Sequence, residues 1–100
     1  MAIFMLITWI PTNQIEKALK IAASVTKLPP YIKKWQQLAA MDKKGSKSYN
    51  IIYTDDKNIE EAMRWIAKVM SLYYEIEGFS YEVEPVFSMR DVPKVMGMKI

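Results

Sequence analysis

The sequence contains no cysteine and no histidine. Without cysteine the chain has no disulfide, no thiolate nucleophile and no zinc ribbon. Without histidine it lacks the commonest acid–base group near neutral pH and the commonest metal ligand. We therefore expect no metal site and no cofactor, and these absences favour a protein without catalytic activity of its own.

Long apolar runs and a block of like charges are absent as well. No apolar run approaches the roughly 20 residues that a membrane-spanning helix needs, and the apolar start of the chain lacks the basic residues of a signal peptide. The net charge is only +3, and the lysines interleave with acidic residues, so charge alone does not indicate a nucleic-acid partner. We expect a soluble cytoplasmic protein that does not bind membranes.

The residues that are present suffice for one hydrophobic core. The chain has 100 residues, of which 51% are hydrophobic and 25% are charged, as in ordinary folded proteins. This length is typical of one domain. We therefore predict a single domain over residues 1–100.

The architecture is organised around Ala2–Trp9, an uncharged stretch that Pro11 ends. As a strand it carries Ile3, Met5, Ile7 and Trp9 on one face and Ala2, Phe4, Leu6 and Thr8 on the other. Both faces are largely apolar, which is typical of a central strand that is covered on both sides. The helices available later in the chain can cover only one of these sides.

Helix and strand patterns alternate along the rest of the chain. One helix is predicted from Asn13 to the Pro29–Pro30 pair and another from Asn58 to about Ile76, each with a glutamate three residues after the asparagine that suggests a capping box. The remaining strands are predicted at Tyr31–Ala40, Ser48–Thr54 and Phe79–Met89.

This order predicts an α+β, ferredoxin-like βαββαβ fold with a four-stranded antiparallel sheet and two helices on one face. Right-handed crossovers place the first and third strands at the centre. The polar second strand and Pro85 in the fourth strand are typical of sheet edges. Because the open sheet face keeps apolar side chains, we expect a second copy to cover it in an isologous sheet-to-sheet homodimer.

Three short motifs in this order resemble the dimeric α/β-barrel superfamily, whose ferredoxin-like members pack their sheets face to face. The motifs are Thr8–Trp9, the aspartate pair Asp55–Asp56 before the second helix, and the acidic strand Glu82–Val86. Short members of uncharacterised function are particularly similar, and the resemblance implies a homodimer. The superfamily includes haem-degrading and quinone-forming monooxygenases and lactone isomerases, most of which use an active-site histidine that this chain lacks.

Aromatic and acidic residues provide the candidate binding groups. Trp9, Trp35 and Trp65 either line an apolar pocket between sheet and helices or pack in the core or a dimer interface. The full candidate set is Trp9, Trp35, Tyr49, Tyr53, Trp65, Glu82 and Glu84. The leading hypothesis is that the protein binds an apolar or aromatic small molecule without catalysis, or serves as an assembly module.

Two carboxylate pairs allow other interpretations. Glu82 and Glu84 lie about 7 Å apart on one strand face, where they either act as an acid–base pair or form a solvated edge paired with Lys33 or Lys34. The first alternative makes the protein a cofactor-independent monooxygenase or isomerase working through tryptophans and carboxylates. Asp55–Asp56 either holds a cation or, as favoured by its position, stabilises a helix start.

An RNA-recognition domain has the same order of elements and is a third hypothesis. Its third strand reads basic-Gly-aromatic-Gly/Ala-aromatic-Val-x-aromatic, and Lys47–Thr54 fits at the lysine and one tyrosine but not at the glycines. Phe4 would then be the first-strand aromatic that stacks on a base. The poor match makes nucleic acid the less favoured partner.

Overall fold

The computed structural model describes residues 1–25 and 27–97. The elements in chain order are β1 (Ala2–Pro11), α1 (Ile15–Ser24), β2 (Ile32–Asp42), β3 (Gly45–Thr54), α2 (Ile59–Ser71), β4 (Ser80–Val86) and the short α3 (Val92–Val95). Single turns of 3₁₀ helix, Thr12–Gln14 and Asp56–Asn58, lead into α1 and α2.

The four strands form one antiparallel sheet in the order β2-β3-β1-β4. In the centre of the sheet Leu6 of β1 lies opposite Asn50 of β3 and Val83 of β4. The polar β2 and the proline-containing β4 are the edges. The predicted ferredoxin-like α+β topology is therefore confirmed, including the central position of the first and third strands.

The core lies on the sheet face that carries Phe4 and Leu6, which are 2% and 0% exposed. Strand alternation turns these two side chains and Ile52 of β3 towards α2. The helix presents a buried stripe at helical spacing to them, formed by Ala62, Ile66, Val69 and Met70. Each large side chain buried in this way contributes about 1.5–3 kcal/mol, so the contact between α2 and the sheet adds substantially to stability.

The second helix is shorter than predicted. It ends at Ser71 instead of about Ile76, because the backbone continues in tighter turns with hydrogen bonds between residues three apart, such as Ile76 N–H to the Tyr73 carbonyl. The Ser71 hydroxyl also donates to the Lys68 carbonyl, which weakens the last turn. The tighter path still brings Ile76 into the core at 3% exposure.

The predicted capping boxes are wrong. For the first helix, the predicted cap Asn13 and the alternative cap Thr12 both lie inside the 3₁₀ turn. The residues that precede α1 and α2 are Gln14 and Asn58, and neither side chain forms a capping hydrogen bond. The 3₁₀ turns set the helix starts instead, since their backbone bonds use N–H groups that a cap would otherwise satisfy. The first helix also ends at Ser24, ahead of the Pro29–Pro30 pair. Within the described residues, no helix has the length and hydropathy needed to cross a bilayer.

Candidate ligand cavity and open sheet face

A cavity of about 480 Å³ lies between α1, α2 and the core-facing side of the sheet. Its helical walls are Ile15, Ala18 and Ala22 of α1 together with Val69 and Met70 of α2. Cavities of roughly 300–1,000 Å³ with mostly apolar walls are typical of small-molecule sites. The volume and lining of this cavity therefore suit a drug-sized apolar ligand.

The cavity exists because α1 fills little of the space above the sheet. Ala18 is the only residue of α1 that is buried, and the large Leu19 is 66% exposed. The main buried cluster joins the sheet to α2 and includes no residue of α1. Alanine side chains are too short to reach the sheet from α1, so open volume remains beneath that helix.

A polar cluster on the sheet forms the floor of this cavity. Asn50 is 2% exposed. Its Oδ1 accepts from Trp35 Nε1 at 2.8 Å and from Gln37 Nε2 at 3.0 Å. Its Nδ2 donates to the Leu6 carbonyl at 3.2 Å and to Ser48 Oγ at 3.1 Å. All four hydrogen-bonding positions of the Asn50 amide are therefore used.

The cluster continues through a hydrogen bond between the Thr8 and Ser48 hydroxyls, which face each other across β1 and β3. Sequence reasoning missed Thr8, Gln37, Ser48 and Asn50 as site residues. The available signal was that Thr8, Ser48 and Asn50 are polar positions with strand periodicity on the inner face of central strands. Buried polar groups of this kind require partners, so such positions mark a hydrogen-bond network.

Trp35 is the candidate tryptophan that lines the cavity. Its ring stands edge-on to Trp65 of α2, with centroids 5.3 Å apart and planes at 80°. Trp65 thus contacts the Trp35 ring without lining the cavity itself, and it packs against the core. The hydrogen bond to Asn50 and the contact with Trp65 together fix the orientation of the Trp35 ring, so the wall is formed before a ligand arrives.

No charged side chain lines the cavity within the described part of the chain. The titratable group in its wall is Tyr73, and burial raises the pKa of that phenol above its ordinary value of 10.0. The raised pKa shows that this environment penalises a negative charge. Tyr73 is therefore a neutral hydroxyl at physiological pH.

The raised pKa of Tyr73 predicts how stability responds to alkaline pH. The unfolded chain ionises this tyrosine from about pH 10 while the folded chain keeps it protonated, so the free energy of unfolding falls as pH rises above about 10. The Tyr73→Phe variant is expected to lose stability less steeply between about pH 9 and pH 11. Urea unfolding at several pH values measures this slope, and equal slopes for both proteins would contradict the prediction.

The opposite sheet face is covered by neither α1 nor α2, which both lie on the side of Phe4, Leu6 and Thr8. Ile3, Met5, Ile7 and Trp9 of β1 lie on this open face beside Lys47, Tyr49, Ile51 and Tyr53 of β3, and all are half-buried. The Lys47 ammonium lies 5.4 Å from the Trp9 ring centroid and 5.0 Å from that of Tyr49. Lys34 of β2 lies 5.7 Å from the Tyr53 ring. These cation–π contacts place both lysines beside the aromatic side chains Trp9, Tyr49 and Tyr53, which we call the aromatic half of the open face.

Glu82 and Glu84 lie on the same face, opposite Ile7 and Met5 along the β4 edge. The alternative that they pair with Lys33 or Lys34 is wrong within one chain, because β2 and β4 are opposite edges of the sheet. Lys33 instead forms an ion pair with Asp55 at 3.5 Å. The open face therefore has a basic aromatic half and an acidic edge.

The aspartate pair lies just ahead of α2, as predicted for a helix start. Asp55 precedes the 3₁₀ turn that leads into the helix, although its side chain forms no capping hydrogen bond. Residues 1–25 and 27–97 contain no group of three or more Asp, Glu, His or Cys side chains arranged to hold a metal ion.

The seven candidate residues do not form one site. Trp35 lines the cavity and Trp65 supports it, whereas the other five lie on the open face: Trp9, Tyr49, Tyr53, Glu82 and Glu84. Phe4 is buried in the core at 2% exposure. The prediction that Phe4 stacks on an RNA base is therefore wrong, because strand alternation turns it away from the open face.

The fold is ferredoxin-like α+β, and its described residues form a cavity with apolar walls and a polar floor. The chain matches no protein-family model, and neither the curated proteins nor the solved structures contain a match to it.

Proposed function

We propose that this protein binds an apolar or aromatic small molecule in the cavity beneath α1 and does not convert it chemically. The carrying observation is the cavity itself, with about 480 Å³ of space, apolar helical walls and a floor of hydrogen-bonded polar side chains. Pockets that combine mostly apolar walls with a few fixed polar groups suit the binding of small organic molecules.

The chemistry of the lining supports binding over catalysis. General acid–base catalysis requires a group whose pKa lies near the working pH. The titratable side chain in the cavity wall is Tyr73, whose pKa is raised by burial and moves away from that range. Glu82 and Glu84, the carboxylates of the enzymatic alternative, lie on the other side of the sheet. Among the described residues, no carboxylate therefore lines the cavity.

We further propose that two copies pack their open faces together, as in the dimeric α/β-barrel superfamily. The row Ile3–Met5–Ile7–Trp9 forms the apolar centre of such an interface, and charges flank it on both sides. A two-fold axis parallel to the strands places the β4 edge with Glu82 and Glu84 over the partner's β2 edge, which carries Lys34. Opposite charges then face each other at both margins, which favours this pairing.

Filling the cavity tests the binding proposal. The Ala18→Leu substitution puts three more carbon atoms into the space beneath α1, and we expect it to weaken binding of the uncharged fluorophore N-phenylnaphthylamine about tenfold. The matched control is Ala23→Leu, which makes the same change on the exposed side of α1 and is expected to leave affinity within about twofold. Fluorescence titration measures both dissociation constants.

Two results would contradict the binding proposal. The first is a wild-type protein that gives no saturable fluorescence change, which means that the cavity takes no apolar molecule. The second is that the Ala18→Leu and Ala23→Leu variants both bind the fluorophore as tightly as the wild type, which would place the bound molecule outside this cavity. Circular dichroism of each variant shows whether the fold is retained.

A further inference from the structure

We infer that the ligand is an uncharged molecule with a hydrogen-bond acceptor, such as a carbonyl oxygen, that the hydroxyl pair Thr8–Ser48 recognises. This inference rests on the proposed function and specifies the chemistry of its ligand. The pair lies on the cavity floor, where Thr8 is 7% exposed and lines the cavity together with Ser48.

Counting protons in the cluster shows that it has one donor to spare. The two N–H groups of Asn50 are used by the Leu6 carbonyl and by Ser48 Oγ. The Thr8 and Ser48 hydroxyls have two protons, and the single hydrogen bond between them uses one. One hydroxyl proton of the pair is therefore left to donate, whichever of the two oxygens acts as donor in the shared bond.

This remaining proton determines what the site accepts. A hydroxyl proton that meets no acceptor costs free energy, and an acceptor atom on the ligand removes that cost. A purely apolar ligand leaves the donor unsatisfied. An apolar ligand with a carbonyl oxygen at the hydroxyl end satisfies it, so the cavity favours the oxygen-bearing molecule.

The absence of charged lining residues in the described chain excludes ionic ligands as the preferred class. A carboxylate that enters the cavity loses its hydration and meets no lysine or arginine among the described lining residues. The raised pKa of Tyr73 reflects the same penalty on negative charge. An uncharged acceptor satisfies the spare proton without this desolvation cost.

Three related compounds test the inference on the wild-type protein. Fluorene, fluorenone and fluorene carboxylate share a ring skeleton and differ by having no acceptor, a carbonyl oxygen or a charged group. Equilibrium dialysis is expected to give fluorenone a dissociation constant about three- to tenfold lower than that of fluorene. The carboxylate is expected to bind at least about tenfold more weakly than fluorenone.

Substitution of the hydroxyls locates the recognition group. The double variant Thr8→Val with Ser48→Val puts apolar methyl groups in place of both hydroxyls, so we expect the preference for fluorenone to fall below about twofold. Fluorene affinity should be retained, which also shows that the cavity still forms. The matched control, Ser46→Val, removes a hydroxyl that lines the cavity outside the cluster and should keep the preference.

The outcomes separate this inference from the proposed function. Binding of neither neutral compound overturns the proposed function and the inference with it. Equal binding of fluorene and fluorenone, or stronger binding of the carboxylate, overturns the inference alone. A fluorenone preference that survives in the double variant also overturns it, since the carbonyl is then recognised by another group. If the double variant does not fold, the comparison of ligands on the wild type still decides the matter.

Discussion

The Gly45→Ala substitution is expected to cost about 3 kcal/mol or more of folding stability and to leave little folded protein. Gly45 begins β3 directly opposite Pro11 of β1 and has φ of +150°. A Cβ at this position would lie 2.0 Å from the Ile10 carbonyl oxygen. That oxygen belongs to the backbone of the central strand, so relief of the clash requires separation of β1 from β3.

The matched control for Gly45 is Gly97→Ala. Gly97 also has a positive φ, +74°, but no atom of residues 1–25 and 27–97 outside its chain neighbours lies within 4 Å of the position of a new Cβ. This control isolates backbone strain, which costs about 1–2 kcal/mol. Urea unfolding followed by circular dichroism compares the two variants. A Gly45→Ala protein no less stable than the Gly97→Ala protein would contradict the steric argument.

The Ile7→Lys substitution is expected to dissociate the proposed dimer, raising its dissociation constant at least about 100-fold. Ile7 lies in the middle of the open face, between Tyr49 and Glu82 on the neighbouring strands. In a two-fold arrangement both copies of this residue approach the axis. The substitution then buries two ammonium groups near each other in the dimer, and each loses the water that hydrates it in the monomer.

Light scattering behind a sizing column measures the effect. The wild type is expected at twice the chain mass of 11.7 kDa, the Ile7→Lys protein at the chain mass, and the control Leu72→Lys as a dimer. Leu72 is an exposed apolar residue just after α2, so its replacement adds the same charge away from the sheet. A monomeric wild type would contradict the dimer proposal. The open face with Trp9 and Tyr49 would then be available to single-stranded RNA, the remaining alternative.

The sheet topology was predictable because each of its determinants is local. Two apolar faces on β1 require a central strand, and Pro85 excludes β4 from the centre since proline cannot donate to a second neighbour. The lysines and glutamines of β2 are tolerated at an edge. Together with the handedness of the crossovers, these features determine the order β2-β3-β1-β4.

The helix ends and the polar pairings were less predictable because they depend on contacts between distant segments, which compete with local helix propensity. The turns after Ser71 bring Tyr73 and Ile76 towards the core although the sequence pattern continues as a helix. Lys33 pairs with Asp55 because β2 and the turn before α2 meet in space. Helix propensity and the spacing of residues in the sequence carry no information about these tertiary contacts.

By itself, the amino-acid sequence determined the order of the elements, the alternating faces and the edge strands, since side-chain periodicity and proline chemistry act within a few residues. Only the tertiary structure decided that Trp35 and Trp9 lie on opposite sides of the sheet, and that Phe4 and Leu6 face the helices. It also decided that a cavity floored by Thr8, Ser48 and Asn50 remains beneath α1. The reason is that alternation defines two faces without naming the one that the helices cover, and the volume left between layers depends on how closely each helix approaches the sheet.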